Sequence, residues 1–357
     1  MKSTQRARVD KLISEILARS DLSQLNDNDV LTYGSFFSGM ECPLVGLETA
    51  CNGRAIVAEF GIEISPHCTN VLKKNFDHKK ILNDVTKVKI KDDLCHVNLL
   101  WSSAPCQDFS RNGKRLGTTN ARGNLYKFPC RYINHHLPDA FVMEQVASFK
   151  EDAKHKKAFD AQMRALKRSK RYVIEDVVLN TADFCIPQTR RRLYIVGIKI
   201  EKLLHKPVFD RVCGSATSNL LKLEDLIDEY DGTEADLPTQ MVAVSNLVNG
   251  LRKARVKYGK NPLEHLFVMD LFGSRVNIAI DRCPCITASR AAAGGYWLSS
   301  KFRFTNVNEL LRLQGVPPDR FQFGQTSRRQ IGHMIGNGVS ANVACHIWTE
   351  IIQATSI

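Results

Sequence analysis

Between residues 30 and 199, short apolar runs alternate with segments of helical periodicity, and this restricts the fold more than any other feature of the chain. The runs at 31–37, 55–59, 97–102, 140–146, 172–179 and 193–200 have the length and composition of strands. Residues 43–50, 66–74, 125–135 and 158–166 between them read as helices, and Phe159, Met163 and Leu166 fall on one helical face. Strand–helix alternation of this kind predicts an α/β fold with a mostly parallel sheet covered on both sides. Ligands of such sheets bind beyond the carboxyl ends of the strands. Side chains just after an apolar run are therefore the first candidates for chemistry.

Outside that region the pattern changes. Residues 1–30 read as a polar amphipathic helix with Val9, Leu12, Ile13, Ile16 and Leu17 at helical spacing, followed by an Asn/Asp-rich joint. From residue 201 an acidic stretch (Glu224, Asp225, Asp228, Glu229, Asp231, Glu234, Asp236) gives way to a basic one, in which Arg252, Lys253, Arg255, Lys257 and Lys260 surround Tyr258. A run of small residues, 291–295, then ends in Tyr296 and Trp297. This stretch predicts a second, less regular domain, and residues 305–315 and 339–353 look helical again. The predicted division is an extension over 1–30, a main domain over 31–200, a second domain over 201–324 and a returning segment over 325–357.

Charge and cysteine usage bear on partners and compartment. Fifty Lys+Arg against 37 Asp+Glu give a net charge of +13, which suits a polyanionic partner. No apolar run approaches the ~18 residues of a membrane span, and the N-terminal residues lack the apolar core of a secretory signal. Eleven cysteines at irregular spacing read as reduced thiols of an intracellular protein. Cys283-Pro284-Cys285 has no second pair at ligand spacing, so a zinc module and a metal site are not expected.

Three places combine reactive residue types with strand ends. Pro105-Cys106-Gln107 directly follows the run at 97–102, so Cys106 sits at the carboxyl edge of the sheet. The polar, glycine-punctuated segment 111–119 after it has the makings of a lid. Glu144 ends the apolar run 140–143 and arrives at the same edge. Arg190 and Arg192 alternate at the start of a strand, which would send both guanidiniums to one side. Each has a plainer reading: Cys106 as a small buried hydrophobe, Glu144 as a solvated strand end, the arginines as a solvated face.

Taken in order along the chain after residue 31, these segments resemble the C5-cytosine-specific DNA methyltransferase family. Phe36-Phe37-Ser38-Gly39 looks like its first motif and Asn83-Asp84-Val85-Thr86 like a later one. Pro105-Cys106-Gln107 with Ser110, Arg122-Gly123-Asn124-Leu125, Glu144-Gln145-Val146 and Gln188-Thr189-Arg190-Arg191-Arg192 match in sequence order. Leu310 through Pro317 and Ile335-Gly336-Asn337-Gly338-Val339 are similar to the last two motifs. The resemblance implies a Rossmann-like S-adenosylmethionine-dependent methyltransferase sheet with a smaller, irregular target-recognition domain. It also implies a monomer acting on double-stranded DNA and located with the genome, in a nucleus or in bacterial or host cytoplasm.

The chemistry of the reaction explains those residue types. C5 of cytosine is a poor nucleophile until a thiolate adds at C6, so Cys106 is the expected nucleophile, with Arg190 and Arg192 favouring its thiolate. Negative charge then moves toward N3 and O2 of the ring. Glu144, protonated or sharing a proton, would meet N3 and the exocyclic amine, and Arg192 would meet O2. The cofactor contacts implied are Phe37, Ser38, Gly39 and Met40 in the first turn, Glu63 toward the ribose with Ile64 beside it, and Asp84 toward the adenine amine with Val85. Pro105, Leu125, Asn337 and Gly338 would complete that pocket. The departures are Glu41 and Cys42 where the family usually has glycine, Gln145 for Asn, Ser103 and Ala104 before Pro105, and Met334 where Gln is common. None removes a reacting group. Three alternatives stay open. One is an RNA cytosine methyltransferase, although the Cys-Phe-Thr signature of that branch is absent from 201–302. The others are a catalytically silent nucleic-acid-binding relative and, from the glycine cluster alone, a dinucleotide enzyme.

Overall fold

The computed structural model describes residues 30–105, 124–210, 221–229 and 235–357. Its larger sheet has seven strands: β1 (Leu31–Phe36), β2 (Ile56–Ile62), β3 (Lys80–Leu82), β4 (Leu99–Ser102), β5 (Ala140–Val146), β6 (Tyr172–Asn180) and β7 (Arg191–Lys199), in the order β3-β2-β1-β4-β5-β7-β6. β1 to β5 pair in parallel, whereas β7 runs antiparallel to both β5 and β6. The first connections build outward from β1 through β2 to β3, and the chain then returns to place β4 on the other side of β1. The strand order therefore reverses between β1 and β4, and open sheets of this type hold ligands at the carboxyl ends of the strands flanking such a reversal. The sequence pattern missed β3, whose three residues are too few to show a period.

Four helices belong with this sheet: α1 (Cys42–Ala50), α2 (Pro66–Asn75), α3 (Lys127–His136) and α4 (Lys156–Leu166). α1 is apolar and buried except at Glu48 and Thr49. α2 starts at Pro66, with the Ser65 hydroxyl accepting from the Cys68 N–H. Both sheet faces are packed by aromatic rings. Tyr33 and Trp101 meet Trp348 of the last helix at ring-centroid distances of 6.4 and 5.4 Å. Phe36, Phe60 and Tyr132 interlock on the opposite face at 5.3–5.9 Å. Gly34 is what admits Phe60, since a Cβ there would lie 2.5 Å from the ring. The pairing of β1 with β2 shifts register between Tyr33 and Gly34.

The chain divides into two compact units. The sheet unit comprises the described residues of 30–180 and 191–210, together with 343–357. The second unit comprises 181–190, 221–229 and 235–342. It holds α5 (Met241–Tyr258), β8 (Phe267–Asp270), β9 (Asn277–Ile280), α6 (Ala288–Ala292), β10 (Trp297–Leu298), β11 (Arg303–Phe304), α7 (Val307–Leu313) and α8 (Arg328–Asn337), while α9 (Ala341–Gln353) crosses back to the sheet unit. The four short strands form an antiparallel sheet, β11-β10-β8-β9, and α5 buries Ala243, Leu247 and Ala254 against Phe267, Met269, Ile278 and Trp297. α6 and α8 touch backbone to backbone. A Cβ on Gly332 would lie 2.2 Å from the Ala291 carbonyl, and one on Gly336 2.4 Å from the Ala288 nitrogen.

This division differs from the one predicted at two points. Residues 181–190 lie inside the span assigned to the main domain, yet they group with the second unit because Gln188 and Arg190 bond to segments between 283 and 338. Residues 325–342 also stay with the second unit, held by the α6–α8 contact, and only 343–357 return. The 1–30 extension lies outside the described residues apart from Val30.

Candidate active site

The sheet edge is best followed strand by strand. β4 ends at Ser102, and the chain continues through Ser103, whose N–H donates to the Phe36 carbonyl at 3.2 Å, to Ala104 and Pro105. Cys106 and the 111–119 segment lie outside the described residues. β5 lies parallel beside β4, with Ser102 opposite Met143, so Glu144 emerges next to this stretch. Gln145 makes the link direct. Its side-chain amide donates to the Ala104 carbonyl at 3.4 Å, and its Oε1 accepts from the Val146 N–H at 3.0 Å. The longer side chain at the position where the family has Asn thus ties the end of β5 to the residues leading into Pro105.

Glu144 has a cationic partner across the sheet. In the antiparallel pairing of β5 with β7, Arg192 lies opposite Val146, one diagonal step from Glu144 on the same face. Arg192 Nε stands 3.0 Å from Glu144 Oε1, and their side chains are only 15% and 10% exposed. A pair so nearly dry contributes little net stability, but removing one member leaves the other charge poorly solvated. Neighbouring Arg191 points outward instead, to Glu151 at 2.6 Å.

Arg190 requires a correction. It does not share a side with Arg192 as strand alternation predicts, because β7 begins only at Arg191 and Arg190 belongs to the second unit. Its guanidinium is buried, 3% exposed, and donates to the carbonyls of Ile286 at 2.7 Å, Gly336 at 3.4 Å and Gly338 at 2.6 Å. One of its terminal nitrogens also donates to Cys285 Sγ at 3.5 Å, so the buried guanidinium is engaged within the second unit, where it holds the 336–338 turn. Gln188 and Gln314 complete that cluster. Gln188 bonds Leu313, Gln314 and Ile286, and Gln314 donates to Ile335 and Gly338. Asn337, exposed, meets His333 within α8.

The expected cofactor residues divide into exposed and inward-facing groups. The loop from Phe37 to Glu41 has left-handed backbone at Phe37, Gly39 and Glu41 (φ 59°, 57° and 58°). A Cβ at Gly39 would meet nothing within 4 Å, so its backbone borders open space. Glu63, just past β2, accepts from the Gly39 N–H and from the Ser65 N–H, each at 2.8 Å. Burial pushes its carboxyl above the ordinary range, although those N–H donors oppose the shift. Ile64 beside it is an apolar side chain left 71% exposed. Asp84 caps a short turn, accepting from the Thr86 N–H and hydroxyl, and these bonds hold it below the usual carboxylate range. Leu125 and Phe37 are partly buried against the core. Three side chains face inward, contrary to a direct contact: Met40 and Val85 are buried hydrophobes, and the Ser38 hydroxyl bonds Ser35 at 2.6 Å. Only main-chain atoms at these three positions are left to meet a ligand.

A cluster that sequence reading missed lies under the same loop. Tyr33 and Ser35 point to one face of β1, and both hydroxyls donate to the buried carboxylate of Glu41, Tyr33 at 2.9 Å. His78 Nε2 stands 3.1 Å from the same carboxylate. Burial and the adjacent Glu41 push the Tyr33 hydroxyl far above its ordinary range. The signal was a lone acid in an otherwise apolar turn, visible in the sequence only as a departure from glycine.

In the second unit, Arg252, Lys253, Arg255, Lys257 and Lys260 are all exposed on or just beyond α5, and Lys257 lies 5.1 Å from the Tyr258 ring centre. Lys253 and Arg275 line an open hollow of about 520 Å³ with Met241, Ser245 and Asn249. None of the nine cysteines among the described residues forms a disulfide. No described helix is long and apolar enough to cross a membrane.

A parallel-dominated sheet with its strand order reversed between β1 and β4, a glycine turn after β1, acids after β2 and β3, and a carboxylate–guanidinium pair beside the end of β4 define an α/β fold of the Rossmann-like class. The C-5 cytosine-specific DNA methylase model matches residues 31–353, and the chain belongs to that family. It is 30% identical over 250 residues to the Type II methyltransferase M.NgoBV of Neisseria gonorrhoeae, a match covering 68% of this chain. The chain spans about half the length of that relative, 54%. Its fold is similar to the crystal structure of S. pombe Dnmt2 methyltransferase (TM-score 0.61, 18% identity, 91% of this chain and 99% of the other). It is equally similar to a putative DNA modification methyltransferase encoded within an E. coli prophage (TM-score 0.62, 19% identity, 91% and 99%).

Proposed function

We propose that this chain is a DNA (cytosine-5-)-methyltransferase that transfers a methyl group from S-adenosylmethionine to C5 of a cytosine swung out of duplex DNA. The observation that carries this is the Glu144–Arg192 pair at 3.0 Å, largely shielded and beside the stretch that leads into Pro105 and Cys106. The ring gains negative charge at N3 and O2 as a thiolate adds to C6, which suits a guanidinium at O2 and a carboxyl that carries or shares a proton at N3. Glu144 takes N3 and the exocyclic amine, and Arg192 takes O2. Thymine, with an N–H at position 3 and a carbonyl at position 4, offers the reverse pattern and is rejected. Cys106 supplies the electron pair that forms the C6–S bond. Loss of the C5 proton to a base, after C5 has gained the methyl group, expels the same thiolate.

The residues at these strand ends fit the cofactor. Open space at Gly39, an exposed apolar surface at Ile64 and carboxylates at Glu63 and Asp84 suit a nucleoside with ribose hydroxyls and an exocyclic amine. Glu63 faces the ribose, Asp84 the amine and Ile64 the adenine face. Main-chain atoms of Phe37, Ser38, Met40 and Val85, with Leu125 and Pro105, would complete the same cofactor site. When bound, the cofactor supplies an electrophilic methyl group on a sulfonium centre. Arg190 positions the turn holding Gly338. The cations of α5 meet DNA phosphates, and flipping the cytosine costs a few kcal/mol, offset by contacts to the extruded base.

The test is a duplex carrying 5-fluorocytosine, chosen after bisulfite sequencing of DNA from expressing cells has revealed the target. Fluorine blocks the final elimination, so a denaturation-resistant adduct should form and map to the peptide containing Cys106. A chain that methylates the normal duplex but gives no adduct overturns the covalent route. Absence of any 5-methylcytosine in DNA, with product on RNA instead, overturns the substrate assignment.

A further inference from the structure

The cluster beneath the first turn has no part in the chemistry just described, yet it sits where the cofactor loop takes its shape. We infer that Glu41 is a positioning residue for cofactor binding, holding the Phe37–Glu41 loop in its ligand-ready form through a fully buried carboxylate. The inference rests on the proposed cofactor site and goes beyond it, because Glu41 itself turns away from that site.

Glu41 is completely buried, a position an acid occupies only when fully paired. It stands immediately before α1, where an acidic side chain ordinarily caps the first turn, but it makes no cap bond. Its left-handed backbone (φ 58°) turns the side chain under the sheet instead. There the period-2 geometry of β1 presents Tyr33 and Ser35 on one face, and both hydroxyls donate to the carboxylate. His78 approaches from the segment before β3, its side chain as inaccessible as that of Glu41. With Nε2 turned to the acid, Nδ1 remains buried with no partner among the described residues. The imidazole packs edge-on to Phe76, 6.0 Å between ring centres, and closes over Glu41.

The loop above depends on this anchor. Three of its five residues have left-handed backbone, and two of those, Phe37 and Glu41, carry side chains that disfavour it. Such a conformation persists only where the surroundings hold it. Glu63 fixes one point through the Gly39 N–H and Ser38 another through Ser35, while Glu41 fixes the end. Glycine at this position would tolerate the backbone without assistance. This chain reaches the same turn with a strained residue and a buried carboxylate. Weakening the anchor should therefore loosen the turn and weaken the cofactor before it affects the chemical step.

The experiment is calorimetric titration of the purified full chain with S-adenosylhomocysteine, alongside steady-state kinetics in S-adenosylmethionine. Glu41→Ala should raise the Kd about tenfold, equivalent to about 1.4 kcal/mol, and raise KM for the cofactor in parallel. The kcat at saturating cofactor and the Kd for DNA should change by less than about threefold, under half the effect a 1.4 kcal/mol loss gives. Glu41→Gln keeps an acceptor for one of the two hydroxyls and presents an amide N–H to the other, which can turn to accept it, and should restore part of the affinity. If Glu41→Ala does not fold, Tyr33→Phe and Ser35→Ala each remove one donor and should each weaken the cofactor measurably. Folded variants with reduced thermal stability but wild-type Kd and KM overturn the positioning role and leave the proposed function standing. A wild-type chain that does not bind S-adenosylhomocysteine overturns both.

Discussion

Arg192 and Arg190 are two residues apart and chemically identical, yet their surroundings give them different work. Arg192 faces a shielded carboxylate at 3.0 Å, and Arg190 donates to three carbonyls and to Cys285 Sγ. Arg192→Lys retains the charge but not the planar fork, and it should lower kcat by about 10²-fold, in the range seen on removing a preorganised donor. A tritiated-methyl transfer assay with DNA and cofactor saturating measures this, and unchanged kcat would remove Arg192 from the reaction. Arg190→Lys should instead lower the melting temperature, with a smaller effect on kcat. Cys106→Ala should abolish transfer while DNA affinity by fluorescence anisotropy is kept. Thiol reactivity gives an independent check. Burial pushes Cys51, Cys68 and Cys130 up to about 12, so these thiols carry almost no thiolate at neutral pH. Brief alkylation at pH 7.5 followed by peptide mapping should label Cys106 ahead of all three, and the opposite order would contradict an activated Cys106.

At the scale of elements, the recurring device is a glycine that lets two surfaces meet. Gly34 makes room for the Phe60 ring, and Gly336 lets α8 rest on the backbone at the start of α6. The two respond differently to an added methyl group. A Cβ at Gly336 strikes main-chain atoms at 2.4 Å, so α6 and α8 must separate, and Gly336→Ala should cost about 1–3 kcal/mol of overpacking. A Cβ at Gly34 strikes a side-chain ring at 2.5 Å, which a smaller partner relieves. Gly34→Ala alone should destabilise, and Gly34→Ala with Phe60→Leu should lose less than the sum of the single changes in urea unfolding. Additive losses would show that the ring is not what Gly34 accommodates. β3 and the antiparallel β6–β7 pair were the elements hardest to foresee. Three residues carry no period, and a buried apolar run looks the same whichever way its neighbour runs.

Across the whole molecule, charge and chain return are the features that matter. Under the proposed function, a net charge of +13 with five exposed cations on or beside α5 would make DNA affinity a counterion-release process. The logarithm of the association constant should fall steeply and linearly with the logarithm of salt concentration. Charge reversal at Lys253 and Lys257 should reduce the slope for all sequences alike, and an unchanged slope would place the phosphate contacts elsewhere. The last fifteen residues are as integral to the sheet as β1. Trp348 is fully buried between Tyr33 and Trp101 and donates to the Pro43 carbonyl at 3.0 Å. Trp348→Ala should therefore cost about 3–5 kcal/mol, measured by chemical denaturation.

Local pattern alone determined the α/β class and most strands and helices of the sheet unit, including β5, inside which Glu144 lies two residues before the end. Periodicity and apolar runs are properties of neighbouring residues, and they survive without knowledge of distant contacts. The order of motifs along the chain added the family resemblance and, with it, the chemistry proposed for those positions. Only tertiary structure decided the rest. It drew 181–190 and 325–342 into the second unit, turned Met40 and Val85 inward, and separated the task of Arg190 from that of Arg192. It also converted Glu41 from an oddity in a glycine turn into the centre of a buried cluster. For Arg190, for Arg192 and for the His78 side of the Glu41 cluster the partner lies dozens or hundreds of residues away, whereas Tyr33 and Ser35 reach Glu41 from eight and six residues before it. The free energy of a buried polar group is set by whichever donor or acceptor the fold brings to it, and no local pattern records that meeting.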